Sequence, residues 1–298
     1  MTPLLLLALP GAEALARQLA GHLHCACEAV ELHCYPDGEA GVRLPVEPGG
    51  RPVVLVAHLD HPDGKTLPLL FAADAARELG AAGVSLLAPY LPYMRQDDRF
   101  RPGEAITSRT FARVLSATFD AVVTVDPHLH RWPSLDAIYT TRTRVVAAAP
   151  AIADWLAREV PRPVIVGPDA ESEQWVAAVA GRLGAPHVVM TKVRHGDRDV
   201  RVTLPEGAAG EDRTPVLLDD IISSGHTVAT AARVLRDAGW PSPLCVGVHA
   251  LVDEAGMALL KEAGVGRVVS CDTVPHATNA IGLAPLLAEA VREVCAAA

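Results

Sequence analysis

The fold is decided by residues 215–227, which read Pro-Val-Leu-Leu-Asp-Asp-Ile-Ile-Ser-Ser-Gly-His-Thr. The apolar run at the start predicts a buried strand that ends at two adjacent acids, Asp219 and Asp220. Residues 223–227 predict a small polar loop, and the spacing of residues 228–235 predicts a helix after it. A strand, a hydroxyl- and glycine-rich turn and a helix N-terminus in this order are typical of an anion-binding site.

The two halves of this stretch suit two parts of one ligand. The loop offers hydroxyl donors and unpaired N–H groups, and Gly225 lets the backbone approach a phosphate closely. The acids suit the cis hydroxyls of a sugar, or a Mg²⁺ carried with it. The stretch therefore predicts a site for a phosphorylated sugar, with the ring at the acids and the phosphate at the loop. The alternative is an ordinary strand-to-helix connection that is capped by serine.

The motif of two acids, two further residues and a small-residue turn ending in Thr resembles the 5-phosphoribosyl 1-diphosphate (PRPP) loop. Phosphoribosyltransferases and PRPP synthetases share this loop. The resemblance implies that Asp219 and Asp220 bind the ribose hydroxyls or their metal. It also implies that the 5-phosphate of ribose 5-phosphate is held by Ser223, Ser224, Gly225, His226 and Thr227. His226 stands where the family usually has Gly or Ala.

The composition is that of a protein with a large apolar core. Of 298 residues, 50% are hydrophobic, and the formal net charge is -9, which argues against a nucleic-acid partner. The apolar run at residues 4–7 is too short for a membrane span and lacks a basic flank, so it predicts a first strand and no membrane partner. The six cysteines form no Cys-x-x-Cys pair, so we expect reduced thiols and a cytoplasmic location.

Strands and helices are predicted to alternate along the chain. In the first half, we predict strands at 4–8, 53–57, 84–88 and 121–125, and helices at 11–23, 66–79 and 108–115. In the second half, we predict strands at 164–166, 188–191, 216–218 and 245–250, and helices at 150–158, 173–183 and 227–238. This rhythm predicts an α/β protein of two domains, 1–145 and 146–298, each a mainly parallel sheet flanked by helices. The resemblance implies that both domains have the phosphoribosyltransferase-like fold.

Two polar clusters in the first half carry a second resemblance. Residues 35–39 read Tyr-Pro-Asp-Gly-Glu, a turn between two predicted strands, and residues 89–97 read Pro-Tyr-Leu-Pro-Tyr-Met-Arg-Gln-Asp after a predicted strand. Taken alone, the first predicts a plain surface turn, and for the second a salt-bridged surface loop is the alternative to a phosphate-binding segment. Both are similar to signatures of PRPP synthetases that phosphoribosyltransferases lack. The resemblance implies ATP contacts from Arg95, Gln96 and Asp97, and contacts to the adenine in a neighbouring subunit from Tyr35, Asp37 and Glu39.

Acids and histidines that follow two other strands predict metal ligands. Asp126, His128 and His130 come at alternate positions after residues 121–125, at a spacing that fits carboxylate and imidazole ligands. This segment resembles the family's Val-Asp-x-His element, which implies that His128 helps to hold the Mg²⁺ on ATP. Asp169 follows residues 164–166 and resembles the acid of the family's Ser-Pro-Asp element, which implies a further metal-associated carboxylate. Residues 170–175 depart from the small, glycine-containing run of the family.

Lys192 and Arg194 predict a cationic segment that leads into a charged, glycine-containing stretch, 195–199, which we expect to be mobile. Two positioned cations suit the charge that develops when a hydroxyl attacks phosphorus. From the residues alone, a solvated charged hairpin is the alternative. The match to the family's Lys-x-Arg loop implies that both residues are catalytic.

The chain is identified as a member of the ribose-phosphate diphosphokinase (PRPP synthetase) family. The resemblance implies transfer of the diphosphoryl group of ATP to the C1 hydroxyl of ribose 5-phosphate, which gives PRPP and AMP. It also implies Mg²⁺ as the cofactor and a dimer-based homo-oligomer such as a hexamer. Two alternatives stay open: a phosphoribosyltransferase, and a catalytically inactive relative with a regulatory role. The altered residues 170–175 and His226 favour the second of these.

Overall fold

The computed structural model describes residues 3–195, 199–205 and 212–296. For residues 192–195 and 199–202 it describes the backbone alone. The chain divides into two units. The first comprises the chain up to Val146 together with the segment from Ala284 onward, and the second is Ala147–Leu283. No helix in the described ranges is both long and apolar enough to cross a membrane.

The first unit is built on a six-stranded parallel sheet. Its strands are β1 (Leu5–Ala8), β2 (Ala26–Ala29), β5 (Pro52–Val56), β6 (Gly83–Leu87), β7 (Ala121–Val125) and β8 (Arg142–Val146), in the order β2-β1-β5-β6-β7-β8. Two further strands, β3 (Glu31–Cys34) and β4 (Ala40–Arg43), form a separate antiparallel hairpin. The helices are α1 (Glu13–Leu23), α2 (Asp63–Glu78), α3 (Thr107–Thr118) and, from the end of the chain, α8 (Ala284–Ala296).

The second unit repeats this plan. Its parallel sheet consists of β9 (Pro163–Gly167), β10 (His187–Val189), β13 (Thr214–Ile222), β14 (Leu244–Ala250), β15 (Arg267–Cys271) and β16 (Asn279–Ile281), in the order β10-β9-β13-β14-β15-β16. Two more strands, β11 (Thr191–His195) and β12 (Asp199–Thr203), form an antiparallel hairpin. The helices are α4 (Ala149–Glu159), α5 (Glu173–Leu183), α6 (His226–Asp237) and α7 (Glu254–Glu262).

The apolar strands are buried because helices cover both faces of each parallel sheet. All residues of β1, β7 and β14 are buried, which explains why these strands are mostly apolar, with Thr124 and His249 as the buried polar exceptions. Three alanines of α2, Ala72, Ala73 and Ala76, are fully buried and belong to the apolar core of the first unit. The prediction of an α/β fold with two mainly parallel sheets is confirmed.

Two predicted strand boundaries are wrong. The strand expected to end before the acids continues through them to Ile222, because β14 supplies further parallel partners for Ile221 and Ile222. The strand predicted at 188–191 ends at Val189, because the buried Met190 turns to donate its N–H to the carbonyl of Gly167 (2.9 Å). Thr191 then begins the separate β11–β12 hairpin.

The division of the chain also differs from the predicted boundary. The chain around the predicted boundary at 145/146 is largely regular, since β8 ends at Val146 and α4 begins at Ala149. The end of the chain falls within the predicted second domain, 146–298, but it forms a helix that was not predicted, and this helix, α8, belongs to the first unit, where it packs on α1, β7 and β8. Its buried stripe includes Leu287 and Val291, and Arg144 of β8 contacts Glu293 through a 2.6 Å Nε–Oε2 hydrogen bond.

Candidate active site

Three carboxylates near the carboxyl ends of β9 and β13 are close enough to interact through their charges. Asp219 is half-buried and Asp220 is buried in β13, the strand between β9 and β14, while Asp169 lies buried two residues beyond β9. Burial raises the pKa of Asp219 well above its usual range, and the charges of Asp220 and Asp169 raise it further. The site therefore concentrates negative charge in a place with little water, and such charge favours a cation or hydroxyl donors as partners.

The turn after β9 is shaped to hold Asp169 against this cluster. The Asp169 side chain accepts the N–H of Glu171 (3.1 Å), and the buried Ser172 donates its hydroxyl to the backbone carbonyl of Asp169 (2.6 Å). A Cβ added at Gly167 would lie 2.5 Å from the Ser172 Oγ, so only glycine fits there without a shift. Although residues 170–175 differ from the family's run, they still place an acid beside β13.

The loop after β13 ends at the N-terminus of α6. Gly225 has a φ of 76°, in the region that favours glycine, and its carbonyl accepts the N–H of Ala229 (2.8 Å) to start the helix. The helix begins at His226, one residue earlier than predicted, so His226 and Thr227 lie in its first turn. Ser224, His226 and Thr227 are exposed, and the first turn carries no acidic residue. The helix dipole and the first-turn N–H groups therefore make this end suited to an anion.

Sequence reasoning missed α7, whose first turn supports this loop. A Cβ added at Gly256 would lie 3.1 Å from the carbonyl oxygen of Ser224, and one added at Gly225 would lie 3.3 Å from the carbonyl oxygen of Gly256. The loop and the first turn of α7 thus touch backbone to backbone. Asp253 accepts the N–H of Gly256 (2.8 Å) as the N-cap, and this Asp before a helical pattern is the signal that could have revealed the helix.

In the first unit, Arg95 and Gln96 lie exposed on a turn that follows β6. The Gln96 N–H binds the carbonyl of Tyr93 (3.0 Å), and its side-chain oxygen accepts the hydroxyl of Thr107 (2.6 Å) at the start of α3. Asp97 differs from Arg95 and Gln96 because its side chain is buried. Its Oδ1 lies 3.5 Å from the Nε of Arg131. The structure therefore turns Asp97 towards the segment after β7, while Arg95 and Gln96 face solvent.

Asp126 and His128 lie directly after β7, the neighbour of β6 in the sheet. Asp126 has a φ of 31°, which is unusual for a residue with a side chain, and its N–H binds the carbonyl of Val146 (3.1 Å). The rings of His128 and His130 stack with centroids 6.2 Å apart. Asp126 and His128 belong to the first unit and Asp169 to the second, and the described residues contain no group of three or more His, Cys, Asp or Glu able to hold a metal ion.

Tyr35, Asp37 and Glu39 lie at the tip of the β3–β4 hairpin, which confirms the turn predicted between two strands. The N–H of Tyr35 binds the carbonyl of Glu39 (2.8 Å), and Asp37 accepts the N–H of Glu39 (3.1 Å). The Tyr35 side chain is 48% exposed, with only the ring of His33 packed edge-on at 4.6 Å among its aromatic neighbours in the described structure. The hairpin thus presents an aromatic ring and two acids to solvent.

Lys192 and Arg194 lie on β11, where they pair in register with Val202 and Val200 of β12. Their side chains lie outside the described part of the structure, as do residues 196–198, on which most of the expected mobile segment falls. The backbone is therefore a hairpin, and the prediction that these two residues are catalytic stays a prediction.

The fold and the strand–acid–loop element define a protein of the phosphoribosyltransferase-like α/β class. Two sequence models match the chain: the N-terminal domain of ribose phosphate pyrophosphokinase at residues 4–118, and the phosphoribosyl transferase domain at residues 135–285. A solved structure of phosphoribosylpyrophosphate synthetase from Mycobacterium smegmatis has the same fold, with a TM-score of 0.86, 24% identity and full coverage of both chains.

Curated relatives identify the family. A ribose-phosphate pyrophosphokinase of Methanopyrus kandleri is 35% identical over 282 residues, which is 94% of this chain and 96% of the relative. One of Halobacterium salinarum is 33% identical over 266 residues, 88% of this chain and 91% of the relative. The chain belongs to the ribose-phosphate pyrophosphokinase family.

The raised pKa of Asp219 predicts a specific pH dependence of stability. Because the pKa is higher in the folded than in the unfolded chain, ionised Asp219 destabilises the fold at neutral pH, and this penalty fades as the pH falls from the folded pKa towards the ordinary value of 3.8. Asp219→Asn should therefore raise the melting temperature of the ligand-free protein at neutral pH, and the difference from wild type should shrink as the pH is lowered.

Thermal unfolding monitored by circular dichroism across a pH series would measure this difference. Asp237→Asn is the matched control, since the Asp237 side chain is 71% exposed and the variant should show no such convergence. A difference in melting temperature between Asp219→Asn and wild type that stays constant at all pH values would contradict the electrostatic explanation.

Proposed function

We propose that this protein is a ribose-phosphate diphosphokinase, which transfers the diphosphoryl group of ATP to the C1 hydroxyl of ribose 5-phosphate and releases PRPP and AMP. The single observation that carries the proposal is the end of β13, where two acids precede a loop and a helix N-terminus. Relatives of that name at 35% and 33% identity over most of the chain support it. A phosphoribosyltransferase alone would not account for the N-terminal match over residues 4–118.

The ribose 5-phosphate site would be formed by β13 and α6. The 5-phosphate would lie at the N-terminus of α6, where Ser223, Ser224 and Thr227 add hydroxyl donors to the first-turn N–H groups. Asp219 and Asp220 would accept hydrogen bonds from the ribose hydroxyls or bind the metal ion. The sugar phosphate then extends from the acids to the N-terminus of α6. Contacts at both ends fix its orientation and so position the C1 hydroxyl for reaction.

The ATP site would be formed by the exposed Arg95 and Gln96. Arginine binds phosphate oxygens through its planar fork, and the glutamine amide adds a donor and an acceptor. The buried Asp97 would act indirectly, because its contact with Arg131 ties this turn to the segment that carries His128. Tyr35, Asp37 and Glu39 would complete the adenine pocket of a neighbouring subunit.

The residues present fit Mg²⁺ that arrives with the substrates. Magnesium keeps several waters and is usually held by one or two carboxylates together with substrate phosphates. One or two of Asp169, Asp219 and Asp220 would supply such carboxylates in the second unit, and a cation would offset the burial and the like charges that together raise the pKa of Asp219. By the resemblance to the family's Val-Asp-x-His element, His128 and Asp126 would bind the Mg²⁺ that is carried by ATP. When bound, Mg²⁺ neutralises the triphosphate and polarises the phosphorus that is attacked.

Lys192 and Arg194 would stabilise the charge that develops on the transferred group. The β11–β12 hairpin places them two residues apart on one strand, and a hairpin outside the main sheet can close over bound substrates. Their positive charge would act on the phosphoryl oxygens as the C1 hydroxyl attacks and AMP leaves. The reaction needs no covalent intermediate on the protein.

The decisive experiment measures AMP release from ATP with and without ribose 5-phosphate. We expect release only with the sugar phosphate, together with formation of PRPP. Asp219→Ala should raise the KM for ribose 5-phosphate strongly and the KM for ATP much less, because the carboxylate lies at the proposed ribose site and would act on ATP only through a shared metal ion. An unchanged sugar KM would remove Asp219 from the site, and no sugar-dependent AMP at all would favour an inactive, regulatory relative.

Removal of either loop cation should lower kcat. Lys192→Ala and Arg194→Ala should each reduce kcat by about 10²-fold or more with smaller changes in KM, because a contact made only in the transition state appears in kcat. Steady-state kinetics with both substrates varied would measure the split. Lys261→Ala, at an exposed position of α7, is the control for loss of a positive charge. Near-normal kcat in both variants would show that the hairpin is not catalytic.

Oligomer formation should be needed for activity. β4 packs on α2, whereas Leu32 and Tyr35 of the β3–β4 hairpin are exposed, so a second copy of the chain is the expected partner for these two side chains. Mixing inactive Tyr35→Ala with inactive Lys192→Ala should restore activity if Tyr35 serves a neighbouring site. An active monomer in light scattering, or no restoration after subunit exchange, would contradict shared sites.

A further inference from the structure

Tyr93 holds a backbone conformation that its side chain disfavours. It lies two residues before Arg95, and its φ is 64°, in the left-handed region that residues with large side chains rarely adopt. Such conformations persist only where the surroundings determine them, and they concentrate at functional sites. The contacts of Tyr93 therefore show what fixes this turn.

Two contacts hold Tyr93 from two different helices. Its ring packs against Phe111 of α3, with centroids 4.9 Å apart and the ring planes tilted by 54°. Its hydroxyl donates a hydrogen bond to the carboxylate of Asp63, the first residue of α2. Burial, together with this bond, raises the pKa of Tyr93 to about 12, so the hydroxyl stays protonated and remains a donor throughout the neutral range.

The conformation of Tyr93 sets the direction of the residues that follow. The hydrogen bond from the Gln96 N–H to the Tyr93 carbonyl (3.0 Å) closes a four-residue turn, which contains Arg95. Met94 points inward and is 2% exposed, whereas Arg95 is exposed. Because Thr107 holds the Gln96 side chain at the other end of the turn, Asp63 and Thr107 fix its two ends from α2 and α3.

We propose that Tyr93 and Asp63 form a positioning pair that holds Arg95 and Gln96 ready for the phosphates of ATP. The proposal rests on the proposed role of Arg95 and Gln96 in binding ATP. Neither Tyr93 nor Asp63 needs to touch the nucleotide. Without the hydroxyl bond, Tyr93 loses one of its two anchors, its backbone can leave the left-handed region, and part of the binding free energy of ATP is then spent on restoring the turn.

Tyr93→Phe tests this inference, because it deletes the hydroxyl and keeps the ring against Phe111. Equilibrium titration with a non-hydrolysable ATP analogue and Mg²⁺ should show about tenfold weaker binding, which corresponds to ~1.4 kcal/mol. Binding of ribose 5-phosphate, measured in a separate titration, should stay within about twofold of wild type. Equal weakening of the binding of the ATP analogue and of ribose 5-phosphate, or no weakening of either, would overturn the proposal.

The chain supplies a matched control for this change. Tyr139 lies in the same unit, and its buried hydroxyl has no hydrogen-bond partner within the described residues. Tyr139→Phe therefore deletes the same atom from a tyrosine that anchors nothing, and it should bind the analogue as wild type does. An equal loss of ATP affinity in Tyr139→Phe would mean that the effect of Tyr93→Phe is not specific to the turn.

Variants of Asp63 separate positioning from general destabilisation. Asp63→Asn keeps an oxygen that can accept the Tyr93 hydroxyl and should bind the analogue nearly as wild type does, whereas Asp63→Ala should weaken binding as Tyr93→Phe does. If the two residues act as a pair, the double variant Tyr93→Phe/Asp63→Ala should be no weaker than either single variant. Additive losses would show that they act separately and would refute the pair.

One further variant distinguishes failure of this inference from failure of the proposed ATP site. Arg95→Ala should weaken binding of the ATP analogue directly. If Arg95→Ala does so and Tyr93→Phe does not, the positioning pair is wrong and the ATP site stands. If neither variant weakens binding, both the pair and the assignment of Arg95 to ATP are wrong.

Discussion

The crowding of like charge at the end of β13 is the constraint on which the rest of the structure depends. Asp219 and Asp220 occupy a strand inside a sheet that is covered by helices, and Asp169 adds a third carboxylate from the neighbouring strand. Buried carboxylates that lie close together lower the stability of the fold unless a cation or hydroxyl donors bind them. A chain selected for stability alone would have an apolar residue there, as at most other positions of β13.

The surroundings of these acids are arranged by small residues and helix ends. Gly167 allows the turn that brings Asp169 to the cluster, and Gly225 and Gly256 allow the loop to lie directly on the first turn of α7. The N-terminus of α6 faces the loop with the opposite sign of charge from the acids upstream. A ligand with hydroxyls at one end and a phosphate at the other matches this alternation of charge, which supports the proposed sugar phosphate site.

The sequence was sufficient for features that depend on local pattern. The alternation of apolar strands and helices, the turn at residues 35–39 and the acid–loop–helix order all follow from neighbouring residues, and all are present. The features that could not be predicted from the sequence depend on contacts between residues that are distant in the chain. The extension of β13 to Ile222 is set by β14, the burial of Asp97 by Arg131, and the conformation of Tyr93 by Asp63 and Phe111. No local pattern encodes such partners.

The place of α8 has a consequence for how the molecule is made. The helix follows the whole second unit in the chain, yet its buried residues cover α1, β7 and β8 of the first unit. During synthesis on the ribosome, that apolar face therefore stays open until all of Ala147–Leu283 has been translated. The first unit begins first but is completed last, so nascent chains present an unfinished surface that chaperones can recognise.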